Sequence, residues 1–128
     1  MGIKQLSISA MVMMLLPIFS LGQKAYEAIP YKGMMGHSEV RLIFADGYIG
    51  ASSITLIKSN RKIKFLPDVG YVDSSKTLKF YRPLPTGTNS PDYFTLINLT
   101  EYYDKLPKSI EGSYFKDGKI SKVKFFKQ

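Results

Sequence analysis

The chain has 128 residues, with 18 Lys or Arg against 10 Asp or Glu, no Cys, no Trp and one His. This length fits one domain, and the absence of Cys excludes disulfides, thiolate chemistry and Cys-based metal or iron–sulfur sites. One His excludes the common His-rich metal sites and the usual catalytic triads, so we predict no metal and no other cofactor.

The first 22 residues have the composition of a cleaved secretory signal. Lys4 precedes an apolar run over residues 10–19, and small residues at Ser20 and Gly22 occupy the positions that a signal peptidase recognises. The apolar run is about half as long as a membrane-spanning helix, which disfavours the alternative of a membrane anchor. We predict a cut between Gly22 and Gln23, a single domain over residues 23–128, and a secreted or periplasmic protein.

Short runs of β-branched and aromatic residues alternate with turn residues through the rest of the chain. Alternation of apolar and polar residues with a period of two predicts strands, and pairs such as Asp46-Gly47 predict the turns between them. The predicted strands cover residues 38–45, 48–58, 61–66, 71–72, 77–82, 93–100, 110–115 and 120–127.

Two other segments receive a different prediction. The proline-rich stretch 83–92 is predicted as a loop, because proline cannot donate a hydrogen bond within a central strand. One helical turn is predicted over residues 101–106, ended by Pro107. About eight strands at a spacing of about ten residues indicate an all-β domain, either a small antiparallel β-barrel or a β-sandwich.

Two segments are candidates for a ligand-binding site. Met34 and Met35 stand between two glycines, which places soft apolar side chains on a turn. Tyr102 and Tyr103 offer amphipathic aromatic side chains after a predicted strand. Together with the 83–92 loop, they predict a site for an apolar or amphipathic small molecule or a partner surface. The alternative is that both segments plug one open end of the barrel or sandwich.

Five lysines fall at outward positions of the predicted strands: Lys62, Lys64, Lys79, Lys122 and Lys124. If their strands adjoin, these lysines form one basic face that attracts anionic lipid or polysaccharide, as in a cell-envelope surface or assembly protein. The alternative is that they only keep the sheet soluble and block unwanted strand pairing. Nucleic acid is not an expected partner, because the chain carries an export signal and no recognised binding motif.

The sequence offers no convincing catalytic set. His37 and Ser38 are neighbours on a strand and point to opposite faces, while His37 and Glu39 can share a face and hydrogen-bond. A carboxylate-dependent hydrolase would need two carboxyl groups about 5–10 Å apart, and nothing identifies such a pair. We therefore predict a non-enzymatic exported binding module, with the envelope protein and the hydrolase as alternatives. The ligand and the oligomeric state are not predicted.

Overall fold

The computed structural model describes residues 26–128, which form a closed barrel of eight antiparallel strands. Each strand pairs with the next along the chain, and the last pairs with the first. The strands are β1 (Glu27–Met35), β2 (Ser38–Asp46), β3 (Ser53–Lys58), β4 (Arg61–Pro67), β5 (Leu78–Pro83), β6 (Asn89–Leu96), β7 (Ser109–Lys116) and β8 (Lys119–Lys127). The all-β prediction is confirmed, and the strand order selects the barrel over the sandwich.

The predicted signal peptide, with its cut between Gly22 and Gln23, lies outside the described residues. Within residues 26–128, no helix is long and apolar enough to cross a membrane.

The connections make the two ends of the barrel different. At one end, called the hairpin end here, three connections have only two residues each, at positions 36–37, 59–60 and 117–118, and the fourth covers 84–88. Ser59 and Asn60, like Asp117 and Gly118, both have positive φ, as a two-residue turn that matches the twist of its strands requires. At the other end, the loop end, the connections are longer and cover residues 47–52, 68–77 and 97–108.

Inward side chains from every strand pack the middle of the barrel. The ring of Phe94 lies edge-on to Phe65 at 4.8 Å between centroids and is stacked on Tyr114 at 4.5 Å. An eight-stranded barrel is just wide enough for side chains to fill it, and these rings occupy that space. The fully buried core includes Tyr31, Val40, Leu42, Phe44, Ile54, Phe65, Phe80, Phe94, Leu96, Leu99 and Phe125.

The first strand of the barrel was not predicted. β1 contains Pro30 and Gly33, two residue types that are uncommon within strands. Its inward positions give only a weak apolar pattern. Gly33 faces inward where β1 meets β8, and a Cβ at this position would lie 2.6 Å from the carbonyl oxygen of Lys124. The close approach of the two strands thus requires a glycine where the alternation rule expects an apolar residue.

Other predicted elements differ from the structure in ways that trace to the loops. The predicted strand 71–72 is part of the 68–77 loop, where the backbone N–H of Val72 donates to the carboxylate of Glu101. The predicted helical turn over 101–106 is an irregular loop. β3 begins at Ser53 rather than at residue 48, because Ile49–Ala51 form a short 3-10 turn.

The predicted boundaries of the sixth strand are also wrong. β6 begins at Asn89, inside the segment predicted as a loop, and ends at Leu96 rather than at residue 100. It includes Pro91, which a bulge in its pairing with β5 accommodates.

Candidate functional site at the hairpin end

A cavity of about 580 Å³ opens at the hairpin end of the barrel. Small-molecule sites in proteins have volumes of about 300–1,000 Å³, so this cavity has the size of a ligand site. Its apolar wall consists of Met35, Leu56, Ile63 and the ring of Tyr114. Leu56 and Tyr114 are buried, whereas Met35 and Ile63 are half-buried and face the opening.

Five cationic side chains also line this cavity: Lys58, Arg61, Arg82, Lys116 and Lys122. Four of them continue the inward phase of their strands. Lys58, for example, lies two residues beyond the buried Leu56 on β3, and Lys116 lies two residues beyond the buried Tyr114 on β7. Because side chains two apart on a strand share a face, these cations point toward the barrel axis where the strands end. The alternation that builds the core therefore also gathers positive charge at its mouth.

Only one of these five cations has an ion-pair partner among residues 26–128. Arg82 Nη2 lies 2.5 Å from Asp92 Oδ1, whereas Lys58, Arg61, Lys116 and Lys122 make no ion pair there. Among the described residues that line the cavity, Asp92 is the only one with a carboxylate. The mouth therefore carries an excess of positive charge.

Arg82 and Asp92 meet where the pairing of β5 with β6 becomes irregular. Tyr81 pairs with Tyr93 and Pro83 pairs with Asn89, so the three residues 90–92 lie opposite Arg82 alone. Ser90 holds the bulge together, since its hydroxyl accepts from the Arg82 backbone N–H at 3.0 Å and donates to the Asp92 carbonyl at 2.6 Å. Asp92 points into the barrel because it continues the inward alternation of Leu96 and Phe94 along β6.

The Asp92 carboxylate is buried and fully partnered. Arg82 donates to it through Nη2 at 2.5 Å and through Nε at 3.2 Å, and the Tyr114 hydroxyl donates to Oδ2 at 2.6 Å. Burial raises the pKa of Asp92, but the hydrogen bonds from Arg82 and Tyr114 outweigh it and hold the pKa below its usual value. Burial and the bond to Asp92 raise the pKa of Tyr114. Asp92 is therefore ionised and Tyr114 neutral at physiological pH.

The structure separates the four side chains predicted to form a pocket. Met35 lines the cavity at the hairpin end, while the neighbouring Met34 points outward and is 53% exposed. Tyr102 and Tyr103 belong to the 97–108 connection at the loop end, on the opposite side of the core. The two pairs therefore do not form one pocket.

The two tyrosines have different surroundings at the loop end. Tyr103 packs edge-on against Phe44 at 5.6 Å and covers the core there. Tyr102 is 79% exposed beside a separate depression of about 470 Å³.

The predicted basic face is divided in two. All five lysines are exposed. Lys62 and Lys64 on β4 lie next to Lys79 on β5, but Lys122 and Lys124 are on β8, which three strands separate from β4 in either direction around the barrel. The prediction of one continuous face was conditional on adjoining strands, and the barrel does not meet that condition.

Glu39 pairs with two cations rather than with His37. Glu39 is bound by Arg41 at 2.5 Å and by Lys32 at 3.2 Å, and the hydrogen bond from Arg41, followed by that from Lys32, lowers the pKa of Glu39. His37 lies exposed in the β1–β2 turn. Within residues 26–128, no group of three or more His, Asp or Glu side chains could hold a metal ion.

The cationic mouth itself was not predicted from the sequence. The sequence does contain the pattern that places these cations inward, since Lys58, Arg61 and Arg82 continue the alternation of their strands beyond the last apolar residue. Its meaning depends on the closed barrel, which brings the ends of β3, β4, β5 and β7 to one opening.

No family model matches the chain, and no curated protein or solved structure matches it.

Proposed function

We propose that this protein is a non-enzymatic binding module that takes a small molecule into the cavity at the hairpin end. The observation that supports this proposal is the cavity itself. It has the volume of a ligand site and combines an apolar wall with a ring of polar groups. The remaining inward side chains pack against one another in the core. The ligand therefore enters at the mouth of the barrel rather than at its centre.

The composition of the lining favours binding over catalysis. Its carboxylate, Asp92, already accepts hydrogen bonds from Arg82 and Tyr114 and has a lowered pKa, so it is a poor proton donor or acceptor near neutral pH. The described lining holds no second carboxylate that would complete a hydrolytic pair. The amino-terminal motif further supports the proposal that the module is exported and acts in a periplasm or outside the cell.

Three eight-carbon probes test the proposal: octan-1-ol, octanoate and octyltrimethylammonium. The probes are titrated separately into isotope-labelled protein expressed from the full chain, and backbone amide shifts are followed by NMR. We expect at least one probe to cause saturable shifts grouped around Met35, Leu56 and Ile63.

A variant that fills the cavity provides the matched control. Ser38 lines the cavity and is half-buried, so Ser38→Trp should abolish these shifts. Thr55→Trp places the same side chain on the outer face of β3 and should leave them unchanged. The proposal is wrong if no probe gives saturable shifts at the hairpin end, or if Ser38→Trp retains them while it remains folded by circular dichroism.

A further inference from the structure

We propose that the hairpin-end cavity selects an amphiphile with an anionic head group, a carboxylate or a phosphate ester on an apolar chain. This inference rests on the proposed function and names the ligand class of the same site. It follows from the arrangement of charge, hydrogen-bond donors and apolar wall in the cavity.

Several cations at the mouth of the cavity have no ion-pair partner among residues 26–128. Lys58, Arg61 and Lys116 converge on one opening from three strands, and none of them has a carboxylate within ion-pair distance among residues 26–128. Like charges gathered at a concave opening repel one another and raise the local concentration of anions. An anionic head group placed between them relieves this repulsion, whereas a cationic one increases it.

Asp92 does not neutralise these cations. Its two carboxylate oxygens are occupied by Arg82 and Tyr114. Asp92 thus fixes the orientation of the Arg82 guanidinium. Arg82 uses Nε and Nη2 in this contact, and its Nη1 makes no hydrogen bond with any of residues 26–128. A guanidinium has five N–H donors in a rigid plane, so Nη1 remains able to donate to an oxyanion.

The apolar wall favours a ligand with an apolar chain over a free inorganic anion. Met35, Leu56 and Ile63 provide aliphatic surface within the same cavity as the cations. Each methylene group buried against such surface strengthens binding by about fourfold. A ligand with an anionic head and an apolar chain uses both parts of the lining, whereas either part alone gives only a fraction of the affinity.

The head groups of the eight-carbon probes test the inference, since their chains are the same. We expect octanoate to bind at least about tenfold more tightly than octan-1-ol, and octyltrimethylammonium to bind most weakly. Raising NaCl from about 0.05 M to about 0.5 M should weaken octanoate binding and leave octan-1-ol nearly unaffected, because salt screens exposed charges. Octyl phosphate distinguishes the two head groups: tighter binding than octanoate assigns a phosphate ester, and equal or weaker binding assigns a carboxylate.

Charge-reversal variants locate the selectivity. The double variant Lys58→Glu, Arg61→Glu should lose the preference for octanoate over octan-1-ol, while it retains octan-1-ol binding. The matched control is Lys62→Glu, Lys64→Glu, which changes the net charge equally at outward positions of β4. This control should keep octanoate affinity within about threefold of the wild type, since exposed charges outside the site are screened.

The results separate this inference from the proposed function. If octan-1-ol or octyltrimethylammonium binds as tightly as octanoate, with shifts that Ser38→Trp abolishes, the cavity binds ligands but the anionic selectivity is refuted. The selectivity is also refuted if the outward pair of substitutions reduces octanoate binding as much as the inward pair. If no probe binds at the hairpin end, the proposed function itself fails.

Discussion

Replacement of Asp92 by Asn should destabilise the barrel by about 2 kcal/mol at pH 7. The side chain of Asp92 is 7% exposed and its oxygens accept from both Arg82 and Tyr114. Asn has nearly the same volume, but it removes the charge and replaces one acceptor with an NH₂ donor. A hydrogen bond to a charged group contributes about 1.5–3 kcal/mol, against about 0.5–1.5 kcal/mol for a neutral one. Two such losses would exceed 2 kcal/mol, but the Arg82 side chain is 35% exposed and water compensates part of its share.

The loss should depend on pH in a defined direction. The pKa of Asp92 is lower in the folded than in the unfolded chain, because its hydrogen bonds with Arg82 and Tyr114 outweigh the opposing effect of burial. The stability contributed by the carboxylate is therefore fully present above the unfolded pKa of about 4 and is lost as the pH falls through the lower folded value. The wild type and Asp92→Asn should differ most above about pH 5 and converge in strong acid.

Urea unfolding followed by circular dichroism at several pH values measures both effects. In thermal unfolding, the same loss of 2 kcal/mol lowers the melting temperature of a domain of this size by about 8–16 °C. Asp104→Asn is the control, because Asp104 is exposed and makes no ion pair within the described part of the chain. It should change stability by less than about 0.5 kcal/mol. The reasoning is refuted if Asp92→Asn matches this control at pH 7, or if its deficit is as large in strong acid as at neutrality.

Two further predictions concern the closure of the barrel and export. Gly33→Ala should cost about 3 kcal/mol in urea unfolding, because the new Cβ would meet the Lys124 carbonyl oxygen at 2.6 Å. Gly36 has a positive φ, but a Cβ there would meet no atom within 4 Å, so Gly36→Ala should cost only about 1 kcal/mol. Equal losses of stability in the two variants would contradict the steric argument. In a bacterial host that exports the chain, amino-terminal sequencing should find Gln23 first, and Leu15→Arg should leave uncut precursor in the cells. An exported product that begins at residue 1 would contradict a cleaved signal.

Much of the fold follows from simple alternation, and the exceptions have local causes. Runs such as Val40, Leu42 and Phe44 repeat every second residue and become the buried face of β2. The total of about eight strands agrees with the structure partly because two errors compensate: β1 is missing from the prediction, and a strand at residues 71–72 is added. The inward Gly33 gives no apolar signal, whereas Tyr71 and Val72 give one from within a loop.

The site was less accessible to sequence reasoning than the fold. Side chains in different hairpins meet at the cavity, so their proximity depends on closure and register rather than on spacing along the chain. The Arg82–Asp92 contact joins inward positions of β5 and β6, but it depends on the pairing register of the two strands, which alternation alone does not predict. Met35 lines the cavity, but its predicted companions Tyr102 and Tyr103 lie across the core because the 97–108 loop belongs to the other end.

The pairing of β1 with β8 closes the barrel. This pairing is short, with Tyr31 opposite Lys127 and Lys32 opposite Phe126, yet it joins the two extremes of the barrel sequence. Every other strand pair forms between neighbours along the chain and can assemble as soon as both partners are synthesised. Proteolytic removal of β8 would expose the backbone hydrogen-bonding groups of both β1 and β7. Exposed strand edges of this kind can pair with strands of other molecules. Loss of β8 would therefore turn the closed barrel into an open sheet with two unpaired edges.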